Sequence, residues 1–198
     1  MMYSFVIQVL KGLFRIFSGK IFVSGKEKVP VSEPFVLVCN HVSWLDVVCL
    51  GLALYPTQIH YMAKKELFGQ KLVGKLLTNL NAFPVDREKP GPSVLKTPLQ
   101  LLKKDRVVGI FPSGTRSAEN ASLKDGAVFI ASRANVPIVP AVYIGPHDMK
   151  GVLKRQKKQI IFGEPFYVPK TAKSKDDTIQ KSTDQLLYVL NDLEKKHA

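Results

Sequence analysis

His41 and Asp46 stand five residues apart in the run Asn40-His41-Val42-Ser43-Trp44-Leu45-Asp46, directly after an apolar stretch, Phe35–Cys39. On one continuous helix that spacing would set the two side chains about 140° apart, out of reach of each other. They can meet if His41 lies in a strand-to-helix turn and Asp46 in the first helical turn. Ser43-Trp44-Leu45-Asp46 reads as such a helix start, with Ser43 at the N-cap. A carboxylate on one imidazole nitrogen fixes the tautomer and leaves the other nitrogen able to take a proton. With no serine nucleophile attached, the pair suits activation of a substrate hydroxyl rather than covalent catalysis. The plainer alternative is that Asp46 only caps the helix and His41 only bonds the backbone. Cys39, two residues before His41, offers a Cys–His pair as a further alternative, although a thiol inside an apolar strand is usually inert packing.

Two more runs close strand-like stretches. Ala82-Phe83-Pro84-Val85-Asp86-Arg87 ends in a fork-shaped cation suited to a phosphate, or to a surface ion pair with Asp86 or Glu88. Phe111-Pro112-Ser113-Gly114-Thr115-Arg116-Ser117 combines a turn-permitting glycine, hydroxyls and a guanidinium. It reads either as an anion-binding turn or as an ordinary Pro-Ser-Gly turn.

The elements that must carry these turns alternate along the chain. Strand-like runs occur at Ile21–Val23, Phe35–Cys39, Ile59–Ala63, Ala82–Val85, Val107–Phe111, Ile138–Ile144 and Gln159–Val168. Helix-like stretches occur at Trp44–Leu54, Glu66–Leu77, Ser93–Lys104, Lys124–Ala134 and Asp176–Lys196. Pro98 either kinks the third of these or opens a shorter helix capped by Thr97. The alternation predicts a single α/β domain with a largely parallel central sheet flanked by helices. Loops at strand carboxyl ends are where such folds place their chemistry.

Four blocks, NHVSWLD, FPVDR, FPSGTRS and VPIVPAVY (Val136–Tyr143), resemble in order and spacing those of the glycerolipid acyltransferases, and among them the bacterial 1-acyl-sn-glycerol-3-phosphate acyltransferases. The resemblance covers roughly residues 20–168, and the first block with the third is its specific part. It implies an α/β domain with an N-terminal helical membrane anchor. It implies His41 as general base and Asp46 as the residue that orients it. It also implies Arg87 as a cation for the acceptor's phosphate, Gly114, Thr115 and Arg116 as acceptor-site residues, and Lys64 as a lysine near the phosphate site. One position departs from the pattern: the third block usually reads Phe-Pro-Glu-Gly-Thr-Arg-Ser, and here Ser113 replaces the glutamate. Serine donates or accepts a hydrogen bond but cannot pair a cation.

The resemblance implies acyl transfer from a thioester, acyl-CoA or acyl-acyl carrier protein, to the sn-2 hydroxyl of lysophosphatidic acid. The alternatives are another lysophospholipid or glycerol-3-phosphate as acceptor, or a weakly catalytic lipid-binding relative. No cofactor or metal is expected, because no His/Cys/Asp/Glu cluster has metal-ligand spacing.

Charge narrows the partners. The 198 residues carry a net charge of +13. Residues 1–28 hold +4 and residues 150–175 hold +7, from eight basic residues against one acidic. A nucleic-acid domain would carry a basic stripe through its core motif, so nucleic acid is not an expected partner. An anionic membrane surface and an acidic donor are. The 45% hydrophobic content is too high for a disordered chain, and two cysteines, Cys39 and Cys49, are too few for a disulfide scaffold.

In MMYSFVIQVLKGLFRIFSGK the polar residues Ser4, Gln8, Lys11, Arg15 and Ser18 recur at helical steps, leaving a wide aromatic-rich apolar surface. The first uncharged stretch is only ten residues before Lys11, too short for a span. The segment reads as an interfacial helix, or else as a terminal helix buried on the core. The expected organisation is a membrane-anchoring segment over 1–20 and an acyltransferase domain over 21–198. The expected location is the cytoplasmic face of the cell membrane, peripheral or monotopic.

Overall fold

The computed structural model describes residues 2–86, 91–112, 118–170 and 175–197. Seven strands form one sheet: β1 (Ile21–Ser24), β2 (Val36–Cys39), β3 (Ile59–Lys64), β4 (Phe83–Val85), β5 (Val107–Ile110), β6 (Ile138–Ile144) and β7 (Lys158–Phe162). Their order is β1-β7-β6-β2-β5-β3-β4. Every neighbouring pair is parallel except β6 and β7. The α/β class and the largely parallel sheet expected from the alternation are therefore the observed ones.

β2 and β5 are buried at every residue, which is why they read as unbroken apolar runs rather than alternating ones. The two faces still differ by the period of two. Leu37 and Cys39 join a core with Val139, Ala141 and Tyr143 of β6, while Val36 and Val38 join the opposite core. Helix α1 (Met2–Leu13), α2 (Trp44–Leu54) and α3 (Lys71–Asn79) serve the first face. Helices α4 (Ser93–Leu102), α5 (Ala118–Ala134) and, after the short α6 (Met149–Leu153), α7 (Lys175–His197) serve the second. β4, with Pro84 at its centre, is tolerated because it lies at an edge.

Some boundaries differ from expectation, each for a local reason. The stretch expected as one helix over Glu66–Leu77 is a 3₁₀ turn, Lys65–Gly69, followed by α3, with Gly69 at the break. Of the two alternatives for Pro98, the structure takes the first: it lies inside α4, within the expected stretch, and not at the first position of a shorter helix capped by Thr97. β7 stops at Phe162, ahead of Gly163 and Pro165, leaving one isolated bridge between Ile138 and Phe166. α6, only five residues long, is too short for periodicity to reveal.

The N-terminal helix divides into three faces. Tyr3 and Ile7 are buried against α2, approaching Gly51. Phe5, Val9, Leu13, Ile16 and Phe17 stay exposed. Gln8, Lys11 and Arg15 form the polar side. The helix gives way to a π-helical turn at Phe14–Ser18 and ends at Gly19, whose φ of 79° suits glycine. This end is tied to the start of β7. Lys158 is buried and donates from Nζ to Ser18 O (2.5 Å) and Gln156 O (2.9 Å), and burial lowers its pKa. Arg155 donates to Ile16 O (3.0 Å). No helix among the described residues is long and apolar enough to cross a membrane.

Candidate active site

The topology selects the place. From β2 the chain passes through α2, on the first face, to β3. From β5 it passes through α5, on the second face, to β6. β2 and β5 are parallel neighbours, so their connections diverge to opposite faces and open a crevice at their carboxyl ends. His41 follows β2 into that crevice, and Phe111 follows β5. Their rings lie 5.1 Å apart, inclined at 42°. Phe111 in turn stacks on Tyr61 of β3 at 5.7 Å.

Asp46 sits in the first turn of α2 with Ser43 at the N-cap. Ser43 Oγ accepts from Leu45 N–H (3.1 Å), and the Asp46 carboxylate accepts from Ser43 N–H (3.0 Å), closing a capping box. The same carboxylate accepts from Val42 N–H (2.8 Å). Both of its oxygens lie 3.1 Å from His41 Nδ1. Asp46 is fully buried, and these donors offset the cost of taking a carboxylate out of water. The imidazole keeps 38% of its side-chain surface exposed. No hydrogen bond to His41 Nε2 occurs among the described residues. Asp46 thus acts as cap and as imidazole partner at once, so the two readings of this residue are not exclusive.

Asn40 holds the loop from behind. Its amide accepts from Tyr143 N–H (2.7 Å) and donates to Tyr143 O (3.1 Å), pinning the end of β2 to β6. Cys39 Sγ lies 3.5 Å from Asn40 Oδ1 within the core, so the Cys–His alternative finds no contact here. Sequence reasoning assigned no role to Asn40 or Phe111. Their signal was only that each adjoins a singled-out residue, Asn40 before His41 and Phe111 opening the third block.

Lys64 ends β3 and is exposed at the carboxyl end of the sheet, two strands from β2. Lys65, its neighbour, pairs with Asp86 (2.5 Å). Arg87, Ser113, Gly114, Thr115 and Arg116 lie outside the described residues. Among the described residues no group of His, Cys, Asp and Glu is disposed to hold a metal ion.

The acyltransferase family profile matches residues 20–144. A 1-acyl-sn-glycerol-3-phosphate acyltransferase of Bacillus subtilis (strain 168) is 49% identical over 166 residues, covering 84% of this chain and 83% of that protein. The chain belongs to the acyltransferase family. Another enzyme of the same name, from Streptococcus pneumoniae (strain ATCC BAA-255 / R6), is 35% identical over 188 residues, covering 94% of this acyltransferase and 70% of its own length. The fold resembles the crystal structure of the 1-acyl-sn-glycerophosphate acyltransferase PlsC from Thermotoga maritima. The TM-score is 0.72 at 22% identity, covering 99% of this chain and 80% of that one. The family match closes at Ile144, the last residue of β6, so α6, β7 and α7 of the acyltransferase lie beyond it.

Proposed function

We propose that the protein transfers a fatty acyl group from a thioester to the sn-2 hydroxyl of 1-acyl-sn-glycerol-3-phosphate, giving phosphatidic acid. The observation that carries this reading is the contact of His41 Nδ1 with both oxygens of the buried Asp46. With Nδ1–H donated to the carboxylate, Nε2 presents its lone pair to the substrate hydroxyl. The hydroxyl oxygen attacks the thioester carbonyl as its proton passes to Nε2, and Asp46 stabilises the imidazolium. Collapse of the tetrahedral intermediate breaks the C–S bond, and the thiolate leaves with the proton held by His41.

Arg87 and Arg116, with Lys64, hold the acceptor's phosphate and so place the hydroxyl near Nε2; Gly114 and Thr115 shape the turn around it. The donor is acyl-CoA or acyl-acyl carrier protein, both anionic, and the exposed Lys150, Lys154 and Lys157 of the basic run Lys150–Lys158 suit either. The exposed Phe5, Val9, Leu13, Ile16 and Phe17 face of the N-terminal segment, flanked by Lys11 and Arg15, rests in the headgroup layer of the cytoplasmic leaflet. This makes the enzyme a peripheral protein with its substrate in the same leaflet.

The test is turnover of purified protein with vesicles. Each thioester donor is paired with lysophosphatidic acid, other lysophospholipids and glycerol-3-phosphate, and products are identified by mass spectrometry. Phosphatidic acid should dominate, and His41→Ala should abolish its formation without loss of the fold. A folded His41→Ala protein with near-normal turnover would overturn the assignment of the base, and a different dominant product would overturn the acceptor.

A further inference from the structure

Leu72 is 86% exposed, the highest value of any large hydrophobic side chain among the described residues. It is not isolated. Leu76 (50%), Leu67 (44%) and Val73 (37%) are exposed around it, on α3 and the turn before it. The helix docks by its other side, through buried Gly74 and through Leu77, which packs on the first core. Gly74 also lets α3 pack closely on the turn before it: a Cβ there would lie 2.6 Å from Phe68 O. Leu72 and Leu76 are one turn apart, and so are Lys71 and Lys75 beside them, which gives α3 an outward apolar stripe bordered by cations. A helix facing only water has no use for leucines at its most exposed positions.

The position of α3 says what covers this stripe. β3 ends at Lys64, and Asn81, just after α3, donates to Gln58 just ahead of β3, so the excursion starts at the carboxyl end of the sheet, with Lys71 and Leu72 in the first turn of α3, and runs back toward the amino end. At the opposite edge, β1 starts at Ile21 level with Lys158, beside the carboxyl end of β6. Ile16, Phe17 and Phe22 are exposed there. β1 and β4 are the two edge strands, and β2 lies between them. Val42 and Trp44, flanking Ser43, are exposed beside His41.

We infer that α3 is a second lipid-contacting element, across the catalytic crevice from the N-terminal segment. Leu67, Leu72, Val73 and Leu76 enter the boundary of an anionic bilayer, and Lys71 and Lys75 meet its phosphates. Two contacts at opposite edges hold the carboxyl end of β2, and with it His41, against the lipid surface. The inference extends the reading of the N-terminal segment as interfacial, but it concerns a different element and requires no turnover.

The experiment labels Leu72→Cys with an environment-sensitive fluorophore in the full chain. Cys39 and Cys49 are buried and do not compete for the label. Phe5→Cys reports the N-terminal contact separately, and Tyr188→Cys, 73% exposed on α7, is the control. Phosphatidylcholine vesicles containing phosphatidylglycerol should blue-shift the label at 72 and leave that at 188 unchanged. In co-sedimentation, Leu72→Ser/Leu76→Ser and Lys71→Gln/Lys75→Gln should each weaken binding to these vesicles about tenfold. A label at 72 that does not shift on vesicles, or double variants that bind as well as wild type, would overturn the inference. So would a shift that follows protein concentration without vesicles, which would assign the stripe to a second copy of the chain. Loss of the signal at 72 with the signal at 5 intact rejects α3 alone, whereas absence of phosphatidic acid in the turnover assay rejects the enzymatic reading alone.

Discussion

The side-chain amide of Asn40 bonds both backbone groups of Tyr143, accepting at 2.7 Å and donating at 3.1 Å across 103 residues of chain. The residue before the proposed base is thereby locked to β6, and His41 begins from a fixed point. Asn40→Ala removes both bonds and should cost about 1–3 kcal/mol of stability. It should also lower kcat more than it raises the acceptor KM, because the base is displaced while the phosphate site is not. Asn40→Asp keeps the acceptor for Tyr143 N–H but sets a carboxylate oxygen against Tyr143 O, and should rescue little. Thermal melts alongside steady-state kinetics check both variants.

Asp46 has two duties that substitution can separate. Asp46→Asn retains an oxygen for the backbone N–H groups of Val42 and Ser43 but places an amide where the imidazole expects an acceptor. Its kcat should fall about a hundredfold or more with a modest change in melting temperature. Asp46→Ala should fall as far in rate and lose in addition about 1–2 kcal/mol with the cap. Equal stability of the two variants in urea unfolding would contradict the division.

Gly109 lies beneath the aromatic floor of the crevice. A Cβ there would approach within 2.8 Å of both Ile59 Cγ2 and Tyr61 Cδ1. Gly109→Ala should cost about 1–3 kcal/mol through overpacking. Pushing Tyr61 against Phe111, which stands 5.1 Å from the His41 ring, should also lower kcat. Denaturant titration and kinetics on the same preparation measure the two effects together.

The thiols should be inert in the native protein. Burial pushes Cys49 up to about 12 and Cys39 well above the ordinary thiol value. A thiol reagent at mildly alkaline pH should find neither until denaturant is added, and then both. The folded thiols hold their protons more tightly than the unfolded ones. Their contribution to stability is therefore full below the ordinary thiol pKa of 9.0 and is lost as pH rises from there toward about 12. Melting temperatures across that range give the sign.

Arg116→Ala should chiefly raise the KM for lysophosphatidic acid, with a smaller effect on kcat, since the guanidinium is assigned to the phosphate and not to the reacting bond. Kinetics against the acceptor at saturating donor separate the two constants.

Local chemistry was legible in the residues themselves. Trp44–Leu54 and Ile138–Ile144 stand where periodicity and apolar runs placed them. Ser43 and Asp46 announced the start of α2, which put His41 in a turn. Each of these rests on neighbours within a few positions of one another, and caps and turns are stabilised at that range. The phosphate-binding roles proposed for Arg87 and Arg116 rest on the sequence resemblance alone, because both lie outside the described residues.

Tertiary structure decided the rest. Nothing local distinguishes β2 from β5 or β6 as partners, since buried parallel strands are interchangeable apolar runs. Their order is settled by packing between residues far apart in the chain, and that order creates the crevice, brings Phe111 to His41 and joins Asn40 to Tyr143. The same holds for the exposed leucines of α3 and the exposed Phe5 and Phe17 of the N-terminal segment. The sequence by itself determined that the N-terminal segment is amphipathic and that an imidazole and a carboxylate can meet in one turn. Only the fold decided which apolar face is spent on the core and which is left facing outward, because burial depends on what neighbouring elements supply to cover it.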